Sequence, residues 1–240
     1  MESSLLERGV DYAIYLPPGY EKGTQRFPVV YLLHGYSDDE TAWIQFGQIK
    51  QTADRAIAER AIPPMIIVMP DAGVTWYIND YRKEEPFEDM IFREFIPHID
   101  TTYRTRDQKE FRAVAGLSMG GYGSLIWSLH HPHKFASCAA FSAGIFIDDD
   151  LLRMEPQNYN RYFGHLYGAD DRNRLSDHWK NNSVLHLVET LSVEKMEQVR
   201  FYIDCGDDDF LYVGNSLLHI EMTRRGIDHE YRVREGAHTW

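Results

Sequence analysis

Apolar and polar positions along this chain fall into short runs of two different periods. Val29-Val30-Tyr31-Leu32-Leu33 and Met65-Ile66-Ile67-Val68-Met69 are unbroken apolar runs, the pattern of strands covered on both faces. Asp11 to Leu16 alternates as a half-buried strand and ends at the turn signal Pro17-Pro18-Gly19. Helical periods lie between such runs. Ile49, Ala53, Ala56, Ile57 and Ala61 share one helical face. Phe87, Ile91, Phe95 and Ile99 share another, with Pro97 expected to end or bend that helix. Arg112 to Leu117 predicts a strand, and Tyr122, Leu125, Ile126 and Leu129 predict the helix that follows it. Phe135 to Phe141 and Val199 to Ile203 read as further strands. A helix from about Leu211 to Arg225 is stopped by Gly226, and His229 to Val233 is the last strand.

Strands alternating with crossover helices predict an α/β fold, a mostly parallel central sheet with helices on both faces. The 240 residues suit a single domain with one sizeable core. One segment breaks the rhythm. Ile145 to Val193 is long and carries Tyr159, Tyr162, Phe163, Tyr167 and Trp179. It predicts either a small lid-like insertion over a ligand site, at about 145–193, or a pair of ordinary surface helices.

Composition removes several function classes. A hydrophobic content of 43% excludes a disordered chain. Lys+Arg 25 against Asp+Glu 37 gives a net charge of −12, which repels phosphate backbones, so no nucleic-acid partner is expected. No apolar stretch approaches the ~18 residues that span a bilayer, so no membrane partner is expected. Met1-Glu2-Ser3-Ser4 lacks the basic and apolar regions of a signal peptide. The expected location is the cytoplasm, or a secreted or periplasmic one if a signal peptide was removed. Cys138 and Cys205 sit in apolar runs and read as two buried thiols.

Candidate chemistry centres on Gly116-Leu117-Ser118-Met119-Gly120. The pentapeptide fits G-x-S-x-G, which raises a serine on a sharp strand-to-helix turn, and here a strand signal runs in and a helix signal runs out. Gly116 and Gly120 leave room at that crossing, and Gly121 and Gly123 extend the small-residue surface. Asp207-Asp208-Asp209 and then His238 follow downstream. Serine, acid, histidine is the chain order of the α/β-hydrolase triad.

A serine hydroxyl needs a base, and neutral imidazole suits that task near pH 7. Among eleven histidines, His238 lies just beyond the last strand, at the end of the sheet where such folds place chemistry. His219 and His229 fall inside a predicted helix and strand. His130, His131 and His133 crowd a helix end, where the helix dipole favours cations; a metal site is the rival use. Any of the three aspartates could orient the base. A Ca²⁺ site is disfavoured there, since no glutamate follows at EF-hand spacing. No metal or other cofactor is expected. Two backbone amides should meet the developing oxyanion: that of Met119, after the nucleophile, and that of Tyr36 in Leu33-His34-Gly35-Tyr36.

The chain resembles the esterase D-like branch of the α/β hydrolases, which includes feruloyl esterase domains. The matching stretches are Tyr12 to Tyr20, Tyr31-Leu32-Leu33-His34-Gly35, Pro70-Asp71-Ala72-Gly73, Gly116 to Gly121 and Gly236-Ala237-His238-Thr239-Trp240. The resemblance implies an α/β-hydrolase fold and a serine esterase with nucleophile Ser118 and base His238. In that family the acid lies three residues after a strand-end glycine, and counting from Gly206 selects Asp209. The resemblance also supports Tyr36 and Met119 as oxyanion donors. Relatives usually have more strand before Ser3 and a closing helix after the histidine motif. His34-Gly35-Tyr36-Ser37 differs from the S-formylglutathione hydrolase sequence at this place, which disfavours that substrate. Feruloyl esterases must hold an aromatic acid. Trp43 and Trp76-Tyr77 are the rings placed to line such a pocket; core packing is the alternative for each. The expected partner is a small-molecule or polysaccharide-linked ester, hydroxycinnamoyl or short acyl, and the oligomeric state stays open. A non-catalytic carbohydrate-binding module is the competing class.

Overall fold

A computed structural model describes residues 1–168 and 173–240. The chain opens with a small antiparallel pair, β1 (Glu2–Ser3) and β2 (Arg8–Gly9). The main sheet then takes β3 (Tyr12–Tyr15), β4 (Val29–Leu33), β5 (Ile66–Pro70), β6 (Arg112–Leu117), β7 (Ser137–Phe141), β8 (Arg200–Gly206) and β9 (His229–Arg234). Its order is β3-β5-β4-β6-β7-β8-β9, and only the β3–β5 pair is antiparallel. The expected α/β architecture is therefore present, with each continuous apolar run in the sheet interior, where both faces are covered.

The two faces carry unequal loads. On one, Tyr31, Leu33, Val68, Val114 and Ile203 join a large aromatic core. On the other, Tyr15, Leu32, Ile67 and Met69 pack against Ala53 of helix α2 (Ile49–Ala58), which follows the short α1 (Ala42–Gln45). The period of two in each strand puts Leu32 and Leu33 on opposite faces.

Pro97 does not end its helix. Helix α3 (Phe87–Met90) runs through a π-helical turn over Ile91–Phe95 into α4 (Ile96–Thr102). The turn places Pro97 at the start of the last segment, where a missing N–H is tolerated. Helix α5 (Met119–His130) leaves the serine turn and is buried from Met119 to Leu129. It is apolar or small on every side, as a central helix must be.

The segment after β7 is helical: α6 (Asp148–Arg153), α7 (Pro156–Tyr159), a π turn over Asn160–Gly164, α8 (His165–Tyr167), α9 (Asp177–Asn182), α10 (Val184–Thr190) and α11 (Val193–Met196). The 169–172 part of the expected insertion lies outside the described residues. Helix α12 (Tyr212–Arg224) ends before Gly226, whose φ of 71° closes it. Cys138 and Cys205 are buried free thiols, and burial pushes the Cys138 thiol up to about 12.

At the carboxyl end of α5, Glu88 Oε1 accepts from His130 Nδ1 at 2.8 Å and from His131 Nε2 at 2.8 Å. His130 Nε2 donates to the Asn181 carbonyl at 2.9 Å. Burial alone would raise the Glu88 carboxyl, but the hydrogen bonds from His130 and His131 hold it down at about 2. Burial would likewise lower His130; its bond to Glu88 raises it instead. This pairing ties α3, α5 and α9 together. Among the described residues, no three His, Cys, Asp or Glu side chains form a metal-binding group.

Candidate active site

The strand β6 hands over to α5 in a turn too tight for ordinary backbone. Ser118 sits there at φ 59°, ψ −117°, a strained conformation costing roughly 1–3 kcal/mol. Its neighbours make the strain tolerable. A Cβ on Gly116 would strike Gly120, and one on Gly120 would strike the Leu33 and His34 carbonyls. The Ser118 N–H donates to the Phe141 carbonyl at 2.9 Å, and the Ser118 carbonyl accepts from Gly144 at 2.9 Å and Tyr122 at 3.0 Å. The hydroxyl is thus presented at the carboxyl end of the sheet by a fully bonded backbone.

Two loops at the same end bring the other groups. The β8–α12 loop carries the three aspartates, and the segment after β9 carries His238. His238 Nε2 lies 2.9 Å from Ser118 Oγ, and His238 Nδ1 lies 2.8 Å from Asp209 Oδ2. Asp209 is 1% exposed, and its Oδ1 accepts from the Leu211 N–H at 2.8 Å. Asp207 and Asp208 are exposed. They fasten the two loops together instead: Asp207 Oδ1 accepts from Gly236 N–H at 3.0 Å, and the Asp208 N–H donates to the Gly236 carbonyl at 3.0 Å. Gly206 is needed where the loops touch, because a Cβ there would meet the Gly236 carbonyl.

Tyr36 lines the same cavity as Ser118, and Met119 follows the serine directly in the chain. Met119 is the first residue of α5, where the backbone N–H has no partner within the helix. Among the described residues, the Tyr36 N–H donates no hydrogen bond. Burial and then the nearby Tyr162 hydroxyl raise the Tyr36 phenol above its ordinary value.

A cavity of about 550 Å³ opens over Ser118. Trp76 forms its wall with Tyr36, Phe146, Tyr162 and Phe163, and Asp38, His238 and Thr239 supply polar groups. The Trp76 ring centre is 5.3 Å from Phe163, 5.8 Å from Phe146 and 6.1 Å from Tyr36. The expectation that Trp43 and Tyr77 also line the cavity needs correcting. Neither borders it. Tyr77 is fully buried, its ring against Gly123 and its hydroxyl on the His34 carbonyl at 3.0 Å. Trp43 lies against Trp240 and Phe141, and its Nε1–H donates to the Leu33 carbonyl at 2.9 Å. Both rings stand behind the site. Sequence reasoning missed Phe146, Met154 and Phe210 as lining residues. The first two belong to the irregular segment, and a single apolar residue in a loop carries no periodic signal.

The sheet order, the strained serine at a strand–helix turn and the loops gathered at its carboxyl end define an α/β-hydrolase fold. The similarity of solved structures agrees. A ferulic acid esterase superposes with a TM-score of 0.87 at 30% identity, covering 100% of this chain and 89% of that one. An S-formylglutathione hydrolase from Staphylococcus aureus superposes with a TM-score of 0.80 at 22% identity, covering 100% of this chain and 90% of that one, and speaks for the fold alone.

The chain belongs to the Esterase family, described as "Putative esterase", which matches it over residues 3–240. It is 37% identical over 149 residues to an endo-1,4-beta-xylanase/feruloyl esterase of Xylanibacter ruminicola. That match covers 58% of this chain and spans only 20% of the relative. It is 28% identical over 223 residues to an acetyl esterase of Caldicellulosiruptor saccharolyticus, covering 90% of this chain and 79% of that one. No helix among the described residues is long and apolar enough to cross a membrane.

Proposed function

We propose that this chain is a serine carboxylesterase that cleaves a hydroxycinnamoyl ester, a feruloyl ester of plant cell-wall polysaccharide. One observation carries the serine mechanism: the unbroken line Asp209–His238–Ser118, with links of 2.8 Å and 2.9 Å. Ser118 Oγ attacks the ester carbonyl carbon while His238 Nε2 takes the hydroxyl proton. Asp209 holds Nδ1–H and stabilises the imidazolium. The N–H groups of Tyr36 and Met119 receive the charge on the carbonyl oxygen, an interaction worth roughly 3–4 kcal/mol per donor in such sites. Collapse of the tetrahedral intermediate expels the alcohol, which takes its proton from His238. Water then attacks the acyl-serine with His238 as base, releasing the acid and restoring Ser118.

The acyl group is read from the cavity. Its aromatic wall suits a planar ring, which stacks or packs edge-on at centroid separations of roughly 4.5–7 Å. The feruloyl and ferulic acid esterase relatives support the same reading. We further read the chain as a single domain with the 145–193 segment as a cap, since Phe146, Met154, Tyr162 and Phe163 border the cavity. A second reading, an acetyl or short-chain acyl esterase, draws on the acetyl esterase relative that covers 90% of the chain.

Turnover of methyl ferulate, acetylated xylan and short p-nitrophenyl esters separates these readings. Preference for acetylated xylan over methyl ferulate overturns the feruloyl assignment. Ser118→Ala should lower kcat by roughly 10⁴–10⁶ and abolish labelling by a fluorophosphonate probe. Wild-type turnover by that variant would refute the serine mechanism, and a wild-type chain inert to the probe would point to a non-catalytic module.

A further inference from the structure

Three consecutive carbonyls at the end of β4 each accept a hydrogen bond from a side chain. Leu33 accepts from Trp43 Nε1–H at 2.9 Å, His34 from the Tyr77 hydroxyl at 3.0 Å, and Gly35 from the His34 ring at Nδ1, 2.8 Å. His34 is 1% exposed and Tyr77 fully buried. The assignment of the His34 ring is forced by its other nitrogen. Nε2 faces the Ala72 N–H at 2.9 Å, which can only donate. Nε2 is therefore the acceptor and Nδ1 carries the proton. The Asp71 carboxylate, 3.6 Å from Nε2, lies beyond hydrogen-bond reach.

The consequence follows from peptide planarity. In a trans peptide the C=O of one residue and the N–H of the next point in opposite directions, and the described chain has no cis peptide bond. Holding the Gly35 carbonyl on the far side of the loop aims the Tyr36 N–H towards the near side. Holding the His34 carbonyl fixes the preceding peptide in the same way. The Asp38 N–H also reaches the Gly35 carbonyl, at a longer 3.2 Å. From the other side, α5 presses Gly120 onto the Leu33 and His34 carbonyls and Gly123 onto the Tyr77 ring. The same helix begins with Met119, the second oxyanion donor of the proposed mechanism.

We propose that His34 and Tyr77 are positioning residues of the oxyanion loop, clamping its carbonyls from behind so that the Tyr36 amide points at the reacting oxygen. This rests on the serine-esterase reading above. Neither side chain touches substrate. Each acts through the backbone, and therefore on the tetrahedral state more than on ground-state binding.

Paired substitutions test the clamp. His34→Asn keeps a donor near the Nδ1 position; His34→Gln keeps an acceptor near Nε2 for Ala72 but loses the bond to Gly35. Methyl ferulate turnover is measured with the affinity of a trifluoromethyl ketone analogue, whose adduct with Ser118 carries an oxyanion. His34→Gln should lower kcat by about 10–100-fold, less than outright loss of a donor, with KM within about threefold. His34→Asn should recover most of that loss. Tyr77→Phe, which keeps the packing, should lower kcat by about 3–10-fold. In each variant the Ki of the ketone should rise in step with the fall in kcat. Equal kcat for His34→Gln and His34→Asn, a kcat loss without a matching rise in Ki, or wild-type kcat in Tyr77→Phe would each overturn the clamp. Ser118→Ala runs beside them. If it keeps wild-type turnover, the esterase mechanism itself falls; if it is dead while the clamp variants fail their expectations, only the clamp falls.

Discussion

Two carboxylate–imidazole pairs, one at each end of helix α5, have nearly the same geometry and, in the proposed mechanism, opposite roles. Asp209 meets His238 at 2.8 Å beside the amino end of α5, and Glu88 meets His130 at 2.8 Å beside its carboxyl end. The difference lies in what the second ring nitrogen faces. His130 Nε2 faces the Asn181 carbonyl, which only accepts. Both nitrogens of His130 must then donate, and the ring is held as a cation. His238 Nε2 faces Ser118 Oγ, a hydroxyl that can donate. That nitrogen can keep its lone pair and take a proton. A carboxylate beside an imidazole is therefore not a signature of catalysis; the partner on the far nitrogen decides between a base and a structural ion pair.

The largest way to break this comparison is at the acid. Asp209→Asn should lower kcat by about 10⁴, because an amide can donate to Nδ1 and turn the ring to the wrong tautomer. Steady-state kinetics check it, and a loss below about tenfold would remove Asp209 from the mechanism. The corresponding change at the other end should act on stability instead. Glu88→Gln leaves the half-buried His130 cation without its counter-charge, which should cost on the order of 3 kcal/mol at most. A thermal melt should show the loss while kcat/KM stays within about twofold, since the cluster sits far along α5 from Ser118.

The pH dependence of that stability gap sharpens the same contrast. Glu88 is held at about 2 against an ordinary 4.5, so its contribution is present above 4.5 and lost as pH falls towards 2. His130 is raised above its ordinary 6.5, so its contribution is full below 6.5 and lost as pH rises through the raised value. The gap between wild type and Glu88→Gln should be widest between about pH 4.5 and 6.5. Melts from pH 3 to 9 test this, and a gap that is flat or that grows above pH 8 contradicts it. The smallest expected effects are at the remaining aspartates. Asp207→Asn and Asp208→Asn should each change kcat by less than about threefold, because both are exposed and bond backbone rather than His238.

Much of this arrangement was legible before any coordinates. Ser118 announced itself because the turn that raises a serine demands glycines at fixed offsets, and steric demands of that kind are local. His238 was legible from its place just past the last strand. Asp209 was not separable from Asp207 and Asp208 by pattern alone. A family resemblance picked it, and burial now distinguishes it, since Asp209 is 1% exposed and its neighbours are at the surface. Trp43 and Tyr77 were misread for a related reason. Tyr77, in a loop at φ 63°, turns inward against Gly123, and Trp43, on the one-turn helix α1, faces Trp240 and the Leu33 carbonyl instead of the cavity. At Pro97 the helix continues, and the irregularity that the proline imposes falls in the π turn just before it.

The sequence by itself determined the alternation of strand and helix, the parallel sheet and the sharp bend at Ser118. Each follows from periodicity or from steric limits within a few residues. Only the tertiary structure decided which aspartate meets His238, which rings face the cavity and which imidazole is free to accept a proton. Those outcomes depend on what stands opposite each side chain, and the opposing groups come from parts of the chain far apart in sequence.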